Sequence, residues 1–336
     1  MNECSRYSRQ TTVAQIGTRG QEQLSKSTVL IVGAGGLGCQ VGAQLAGAGI
    51  GEIRLVDHDT VELSNLHRQV LFTEADIGKA KAEVACAALQ ARNSNIQVTA
   101  ISQRLALDNV EDLISNVDLV IDAADNFATS YVLSDACLER ALPLLSASVN
   151  RTFGYLGVFC GGDRDKPIPS MRAVFPRLPK QSLSCDVVGV TGPSVAVIAS
   201  LQAQEAIKLL IGADNQLEGK LLYCDLWNYS QHTVDFSSAK EPGEQQIRLI
   251  NQAALTDNDY VVDVRNPEEI NAEPQAFATH LHIPLPELLE GKGLELSERT
   301  ERIVLACKSG QRALVAAQIM LDRGVAEVAA ILPDSR

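Results

Sequence analysis

The sequence predicts an α/β protein: a doubly wound, mostly parallel sheet followed by a second, smaller α/β unit. Three observations predict it. Short β-branched, apolar runs alternate with longer runs rich in Ala, Leu and Val that are helical in character. A glycine-rich turn, Gly33-Ala-Gly-Gly-Leu-Gly38, joins the first strand-like run to the first helix-like one. Beyond it, a polar stretch containing Pro242 and Gly243 interrupts the alternation, which then restarts.

Residues 28–32 read as a strand, 39–48 as a helix closing at Gly49, and 53–56 as a second strand ending on Asp57. Such a strand–turn–helix–strand unit implies parallel strands joined by a right-handed crossover. The pattern continues with a helix at 79–91, a strand at 96–101, a helix at 110–115, a strand at 117–121, a helix at 130–140 and a strand at 142–145. Ligands of a sheet wound this way are expected outside the carboxyl ends of its strands. Residues 163–184 break the pattern with four prolines and several basic residues, and read as a mobile crossover loop. A long apolar helix at 195–210 and strands at 220–224 and 232–236 close the first unit. The second unit restarts with Val261-Val-Asp-Val-Arg265, His282-Ile-Pro-Leu285 and residues 303–307. The expected organisation is one domain over residues 1–236, a linker at 237–246 and a second domain over 247–336.

Length and composition agree with this. At 336 residues two domains are the better expectation, and 46% hydrophobic with 21% charged residues describes a folded chain. A net charge of −12 lacks the basic face a nucleic-acid partner would need. No apolar run approaches a membrane span, and the polar start MNECSRYSRQ lacks the core of a signal peptide, so a cytoplasmic location is expected. In that reducing compartment the eight cysteines are expected to be mostly free thiols, with Cys39, Cys86 and Cys137 serving as small buried hydrophobes.

Gly33, Gly35 and Gly38 have the spacing that brings a helix N-terminus against a phosphate. With Asp57 at the end of the next strand, the turn alone fits a Rossmann-like site for NAD or FAD, the carboxylate holding the ribose. The following segment favours a triphosphate. Asn65 and Arg68 stand just beyond the second strand, and Lys81 opens the next helix. A triphosphate carries roughly twice the charge of a pyrophosphate bridge and calls for such cations. Asp122 and Asp125, after a later strand, offer carboxylates where a Mg²⁺ ion bridging phosphates would sit.

Arg6-Tyr-Ser-Arg-Gln10, the glycine turn, Val56 through Gln69, Gly78-Lys-Ala-Lys81, Ala123-Ala-Asp-Asn126 and Ser184-Cys-Asp-Val-Val-Gly-Val-Thr-Gly-Pro193 stand in one order along the chain. In these motifs the first domain resembles the MoeB/ThiF family of ubiquitin-activating-enzyme-like adenylyltransferases. The resemblance implies ATP- and Mg²⁺-dependent adenylation of the C-terminal Gly-Gly carboxylate of a small ubiquitin-like protein. It implies a nucleotide site formed by Gly33, Gly35, Gly36, Gly38, Asp57, Ser64, Asn65, Arg68, Lys81, Asp125 and Asn126. Within it Gly36 approaches the phosphates, Asp57 holds the ribose, Asn65, Arg68 and Lys81 meet the triphosphate, and Asp125 organises Mg²⁺. Arg9, otherwise an ordinary surface arginine, would serve the partner subunit's site, which implies a homodimer. Many members of the family hold structural zinc with two Cys-x-x-Cys pairs. Here Ser170 and Ala173 occupy the first pair's positions, and residues 234–240 contain no cysteine, so no structural zinc site is expected.

Two cysteines are candidates for sulfur chemistry. Cys307 follows the strand-like run 302–306 and precedes a helix-like run ending at Gly324. A loop in that position turns backbone N–H groups toward the sulfur, and Lys308 and Arg312 add positive charge, so an anionic sulfur is stabilised. Together with Asp263-Val-Arg265 and His282-Ile-Pro-Leu285, the loop resembles the active site of rhodanese sulfurtransferases. That resemblance implies a persulfide on Cys307, cradled by Lys308, Ser309, Gly310, Gln311 and Arg312. Cys185 precedes a helix start at Gly192-Pro193, and both a covalent or relay role and a bystander role stay open for it. His58 and His67 flank the nucleotide motif without an assigned role.

The combined reading is a fused activating and sulfur-transfer enzyme. It would adenylate a ubiquitin-like sulfur-carrier protein of the ThiS/MoaD type and convert its terminus to a thiocarboxylate, for thiamine, molybdopterin or tRNA-thiolation chemistry. A persulfide donor such as a cysteine desulfurase would charge Cys307. Because Cys307 lies beyond the linker, its domain would have to swing to reach the nucleotide pocket, its own or the partner's. The rivals are an NAD(P)- or FAD-dependent oxidoreductase with a sulfurtransferase appendage, which Arg9, Arg68 and Lys81 argue against, and a non-catalytic scaffold binding ubiquitin-like proteins.

Overall fold

The computed structural model describes residues 6–163, 166–178, 189–243, 246–273 and 277–335. After two short N-terminal helices, α1 (Ser8–Thr11) and α2 (Gly17–Leu24), the chain alternates strand and helix. The order is β1 (Thr28–Val32), α3 (Gly36–Ala48), β2 (Glu52–Val56), α4 (Lys81–Arg92), β3 (Gln97–Ile101), α5 (Val110–Leu113), β4 (Leu119–Asp122), α6 (Phe127–Glu139) and β5 (Leu144–Asn150). These five strands are parallel to one another, and Val29, Leu30 and Ile31 are fully buried because helices cover both faces of the sheet. Three antiparallel strands extend it: β6 (Phe153–Phe159) and, beyond the ribbon β7 (Gly162–Asp163) and β8 (Lys166–Pro167), α7 (Met171–Val174) and α8 (Gly192–Leu210), the strands β9 (Lys220–Asp225) and β10 (Ser230–Asp235). The eight-stranded order is β10-β9-β6-β5-β4-β1-β2-β3. Chain order reverses between β1 and β4, which opens a crevice at their carboxyl ends.

The C-terminal unit is a five-stranded parallel sheet of order β11-β15-β14-β12-β13. Its elements are β11 (Arg248–Ile250), β12 (Asp259–Asp263), α9 (Pro267–Ala272), β13 (Leu281–His282), α10 (Leu285–Leu289), β14 (Arg302–Ala306), α11 (Gln311–Asp322) and β15 (Val328–Ile331). Asp263 and Arg265 form a buried ion pair, Nη2 to Oδ2 2.7 Å, and the Arg265 carbonyl bonds His282 Nε2 at 2.8 Å. The two sequence motifs of this unit therefore tie β12 to β13 beneath the β14 loop.

The alternation, the parallel core and the Rossmann-like class follow the expectation, but β6 does not appear in it. This strand contains two glycines, Gly154 and Gly157. Here they make room: a Cβ on Gly154 would lie 2.5 Å from Ile198 Cγ1 of α8, and one on Gly157 would lie 2.7 Å from the Lys220 carbonyl of β9. Arg151, with φ 56°, turns β5 back into β6.

The expected mobile crossover is also corrected over its described part, residues 166–178. Ser170 and Met171 are 1% exposed. The Ser170 backbone N and Oγ donate to the Glu241 carboxylate at 2.8 and 2.5 Å, and its side chain caps α7. Arg172 forms a bidentate pair with Asp135 of α6, 2.7 and 2.9 Å, and donates to the Ile247 carbonyl. Phe236 stacks on Phe159, centroids 5.0 Å apart, and one apolar cluster continues through Ile247 to Leu314 and Met320 of α11. The crossover is thus bonded to α6, to Glu241 after β10 and to Ile247 just before β11. Ser170→Ala removes the clip to Glu241 and the cap of α7, so a melting temperature lower by about 2–4 °C is expected in a thermal scan; an unchanged value would show the clip to be idle.

Candidate active site

The crevice begins where β1 turns through Gly33 at φ 100°. A Cβ there would lie 2.7 Å from the Ala123 carbonyl oxygen, and one on Gly38 would run into the carbonyl oxygen of Gly33. Both positions therefore require glycine, and α3 starts directly against the ends of β1 and β4. Gly35 precedes α3 without a side-chain cap, which leaves the first-turn N–H groups for an anion. Gly36 lets Arg68 lie across the turn, since a Cβ would come within 3.3 Å of Arg68 Cγ and 2.8 Å of Val195 Cγ1. Asp57, at the end of β2, accepts hydrogen bonds from Ala34 N at 2.7 Å and Asp59 N at 2.8 Å. Burial pushes its carboxyl above the ordinary value, and the backbone donors oppose that shift.

Beyond β2, Asn65 is buried and forms a capping box with Glu62, while Arg68 Nη1 donates to the Ser64 carbonyl at 3.2 Å. Lys81, buried at the start of α4, lies 3.1 Å from Asp59 Oδ2. Across the crevice Asp125 is exposed, and Asn126 caps α6 by accepting from Thr129 N at 2.9 Å. All of these residues line one cleft of about 950 Å³. Of the nucleotide residues expected from sequence, Gly38 alone stands behind the lining. Arg9 is exposed on α1 and does not line the cleft of its own chain. Cys185 lies outside the described residues.

The same cleft has a second wall made of Ser309, Gln311, Leu332 and Pro333 from the C-terminal unit. In this structure Ser309 and Gln311 of the Cys307 loop stand at the nucleotide crevice, while Cys307 itself does not line it. Cys307 ends the β14 run at 2% exposure, and its Sγ accepts from Ala313 N at 3.2 Å. Gly310 turns the loop at φ 82°. Arg312 pairs bidentately with Glu269 of α9, both bonds 2.6 Å; Glu269 foremost, and the nearby Cys307 sulfur to a lesser degree, hold the guanidinium above its ordinary value. Lys308 is exposed and off the cleft. Burial pushes the Cys39 and Cys160 thiols up to about 12 and raises Cys86, Cys137 and Cys224, as suits inert packing residues.

One residue of this site, Gln69, has no role in the sequence reading, and the expected place of Asp122 as a carboxylate offered to Mg²⁺ is corrected. Gln69, 3% exposed, lines the cleft with an Oε1 that has no hydrogen-bond partner in the structure. Asp122 is fully buried and accepts from Ser130 and Ser146 hydroxyls, both at 2.7 Å, and from Ala124 N at 3.1 Å. Burial drives its carboxyl upward. It supports the floor of the crevice and does not face it. Gln69 closes a motif whose other residues were expected to meet the nucleotide, which was the available signal.

The Glu269–Arg312 pair generates a pH prediction. Arg312 depresses the Glu269 carboxyl from 4.5 to about 2. The unfolded chain then takes up this proton first, so the pair's stability is complete above about 4.5 and disappears toward about 2. Urea melts should show the native protein more stable than Glu269→Gln at pH 6, with the gap closing as pH falls below 4.5; a gap independent of pH would show the pair to be energetically silent.

The comparisons with known proteins bear on this geometry. The model of the ThiF family matches residues 7–246. An adenylyltransferase and sulfurtransferase, MOCS3, of Culex quinquefasciatus is 39% identical over 286 residues, covering 80% of this chain and 63% of that protein. This chain thus spans less than two thirds of that relative's length. The sulfur carrier protein adenylyltransferase of Thermus thermophilus is 42% identical over 226 residues, covering 66% of this chain and 83% of that one. Among solved structures, E. coli MccB with ATP aligns at a TM-score of 0.61 and 26% identity, over 70% of this chain and 72% of that one. With a family match over most of its length, and with the glycine turn, Asp57, Arg68 and Lys81 gathered in one cleft, this chain belongs to the ThiF family.

Proposed function

We propose that this protein is an adenylyltransferase with a built-in sulfurtransferase: residues 1–236 adenylate the C-terminal carboxylate of a ubiquitin-like sulfur-carrier protein with ATP, and a rhodanese-like domain at 247–336 supplies sulfur to it. The single observation that carries the reading is the shared cleft of about 950 Å³, walled by the phosphate-type turn on one side and by the loop of Cys307 on the other. The names of the relatives from Culex and Thermus support it.

A carboxylate is a poor acyl donor because its leaving group would be oxide. Attack of its oxygen on the α-phosphorus of ATP expels pyrophosphate and yields an acyl-adenylate, whose AMP departs readily. The N–H groups of α3, Arg68 and Lys81 would bind the phosphates and stabilise charge developing on pyrophosphate. Asp57 would hold the ribose. The exposed carboxylate of Asp125, open to the cleft beside Asn126, fits a Mg²⁺ ion carried by ATP, which would neutralise phosphate charge when bound. Arg9 would reach a partner subunit's cleft in a homodimer.

In the second step the outer sulfur of a Cys307 persulfide attacks the acyl carbon. A C–S bond forms, the C–O bond breaks, and AMP leaves with the electron pair, giving an acyl disulfide on Cys307. A thiol then attacks the Cys307 sulfur and releases the thiocarboxylate. Cys185 is the candidate thiol in the chain, and an external dithiol would reduce the resulting disulfide. A cysteine desulfurase would recharge Cys307, and the location would be cytoplasmic.

With a Gly-Gly-ending ThiS/MoaD-type carrier, ATP and Mg²⁺, the purified protein should catalyse ATP–pyrophosphate exchange; no exchange would sink the reading. Arg68→Ala or Lys81→Ala should lower exchange by about 10²-fold or more. Cys307→Ala should abolish thiocarboxylate, seen by mass spectrometry, without abolishing exchange. Metal analysis should find no stoichiometric zinc, since Ser170 and Ala173 stand where thiolates would; one zinc per chain would reverse that assignment.

A further inference from the structure

We propose that sulfur is handed over in cis: the Cys307 persulfide attacks the acyl-adenylate bound in the cleft of its own chain. The inference rests on the proposed function and adds which cleft each sulfur serves. Three observations carry it.

First, Ser309 and Gln311, which flank the turn at Gly310, line the same cleft as Gly36, Arg68 and Asp125 of the same chain. Cys307 lies two residues behind Ser309. Cys307 itself is buried just behind the lining, so the loop that would carry the reacting sulfur, and not yet the sulfur, stands at the cleft of its own chain.

Second, that placement is built by contacts outside the cleft. Ser335 donates through its backbone N and Oγ to the Asp108 carboxylate, at 3.0 and 2.6 Å, which ties the tail after β15 to the eight-stranded unit. Leu332 packs against Gly310, where a Cβ would collide with its Cδ2, so the tail holds the sulfur loop from beneath. Arg177 pairs with Asp322 at the far end of α11, 3.7 Å. The Arg172 bond to the Ile247 carbonyl and the apolar cluster through Ile247 complete the seam. A tether that merely allowed a search for a partner's cleft would need none of these.

Third, α6 and α11 pack against each other, and both begin at the cleft, at Asn126 and Gln311. Their N-terminal ends present positive potential where a persulfide anion and an adenylate phosphate would meet. The outer sulfur forms the bond to the acyl carbon, AMP departs with the electron pair, and the inner sulfur stays on Cys307, so no oxidant is required at this step. A thiol reductant, dithiothreitol in the test, then cleaves the acyl disulfide.

The test uses hybrids of two full-length variants, Arg68→Ala and Cys307→Ala, co-expressed with different affinity tags and purified through both. Each is incubated with a ThiS/MoaD-type carrier ending in Gly-Gly, ATP, Mg²⁺, thiosulfate as sulfur source and dithiothreitol. In cis, the hybrid makes no thiocarboxylate, because the chain that adenylates lacks the sulfur and the chain that holds sulfur lacks the adenylate. Thiocarboxylate at about half the wild-type yield would overturn the proposal in favour of transfer between chains. If the chain is monomeric the two variants are mixed, with the same two outcomes. Lys81→Ala replaces Arg68→Ala in a parallel hybrid to guard against a folding defect, and thiosulfate-to-cyanide sulfur transfer by the adenylation-deficient variant verifies its Cys307 loop. Wild-type protein that adenylates the carrier but yields no thiocarboxylate overturns the cis handover and the sulfurtransferase reading together, whereas product from wild type and from hybrids overturns the handover alone.

Discussion

The backbone of α3 must touch the ends of β1 and β4 with no side chain between them. Gly33 against Ala123 and Gly38 against the carbonyl of Gly33 are the two contacts that enforce this. A methyl group at either point would lift the helix from the sheet and carry its N–H groups away from the crevice. The placement of the other site residues follows from that contact. Asp57 reaches Ala34 N because the turn is tight, and Arg68 lies over Gly36 because no side chain stands there.

Asp122 fixes the opposite side. Its carboxylate joins β4 to Ser146 of β5 and Ser130 of α6, while its carbonyl accepts from Gln202 of α8, which also donates to Leu145. A buried acid with three donors resists displacement because each lost bond leaves a polar group without water. Asp125 and Asn126 follow three and four residues later, so their position at the cleft is inherited from this network. The clip between Ser170 and Glu241 acts in the same manner at the seam. It joins the crossover to the segment after β10 through two hydrogen bonds.

The parallel core was legible because β-branched runs buried on both faces differ plainly from Ala-rich helices, and residues 28–32 and 53–56 came out nearly as built. The motif residues that line the cleft were legible because the residue types a phosphate calls for are dictated by charge. What failed was whatever depended on a distant partner. β6 went unread, and its glycines Gly154 and Gly157 fit only beside Ile198 and Lys220, which are distant in sequence. The proline-rich crossover reads as loose until Asp135 and Glu241 receive Arg172 and Ser170. The short strands β11 and β15 make sense only as neighbours. Local propensity contains no record of such contacts.

The polar stretch between the two units is the most instructive of these failures, because composition suggested a tether and the structure has a seam. An acyl-adenylate is lost to any water that reaches it, so the useful quantity is the local concentration of the competing sulfur. A loop free on a flexible linker supplies millimolar effective concentrations at best, whereas a reactant held against its target gains the larger advantage of fixed orientation. Ser335 on Asp108 and Leu332 beneath Gly310 are contacts of the second kind. They hold the Cys307 loop at the cleft, and in the proposed reaction the space walled by Ser309 and Gln311 is where water and persulfide would compete for the acyl carbon.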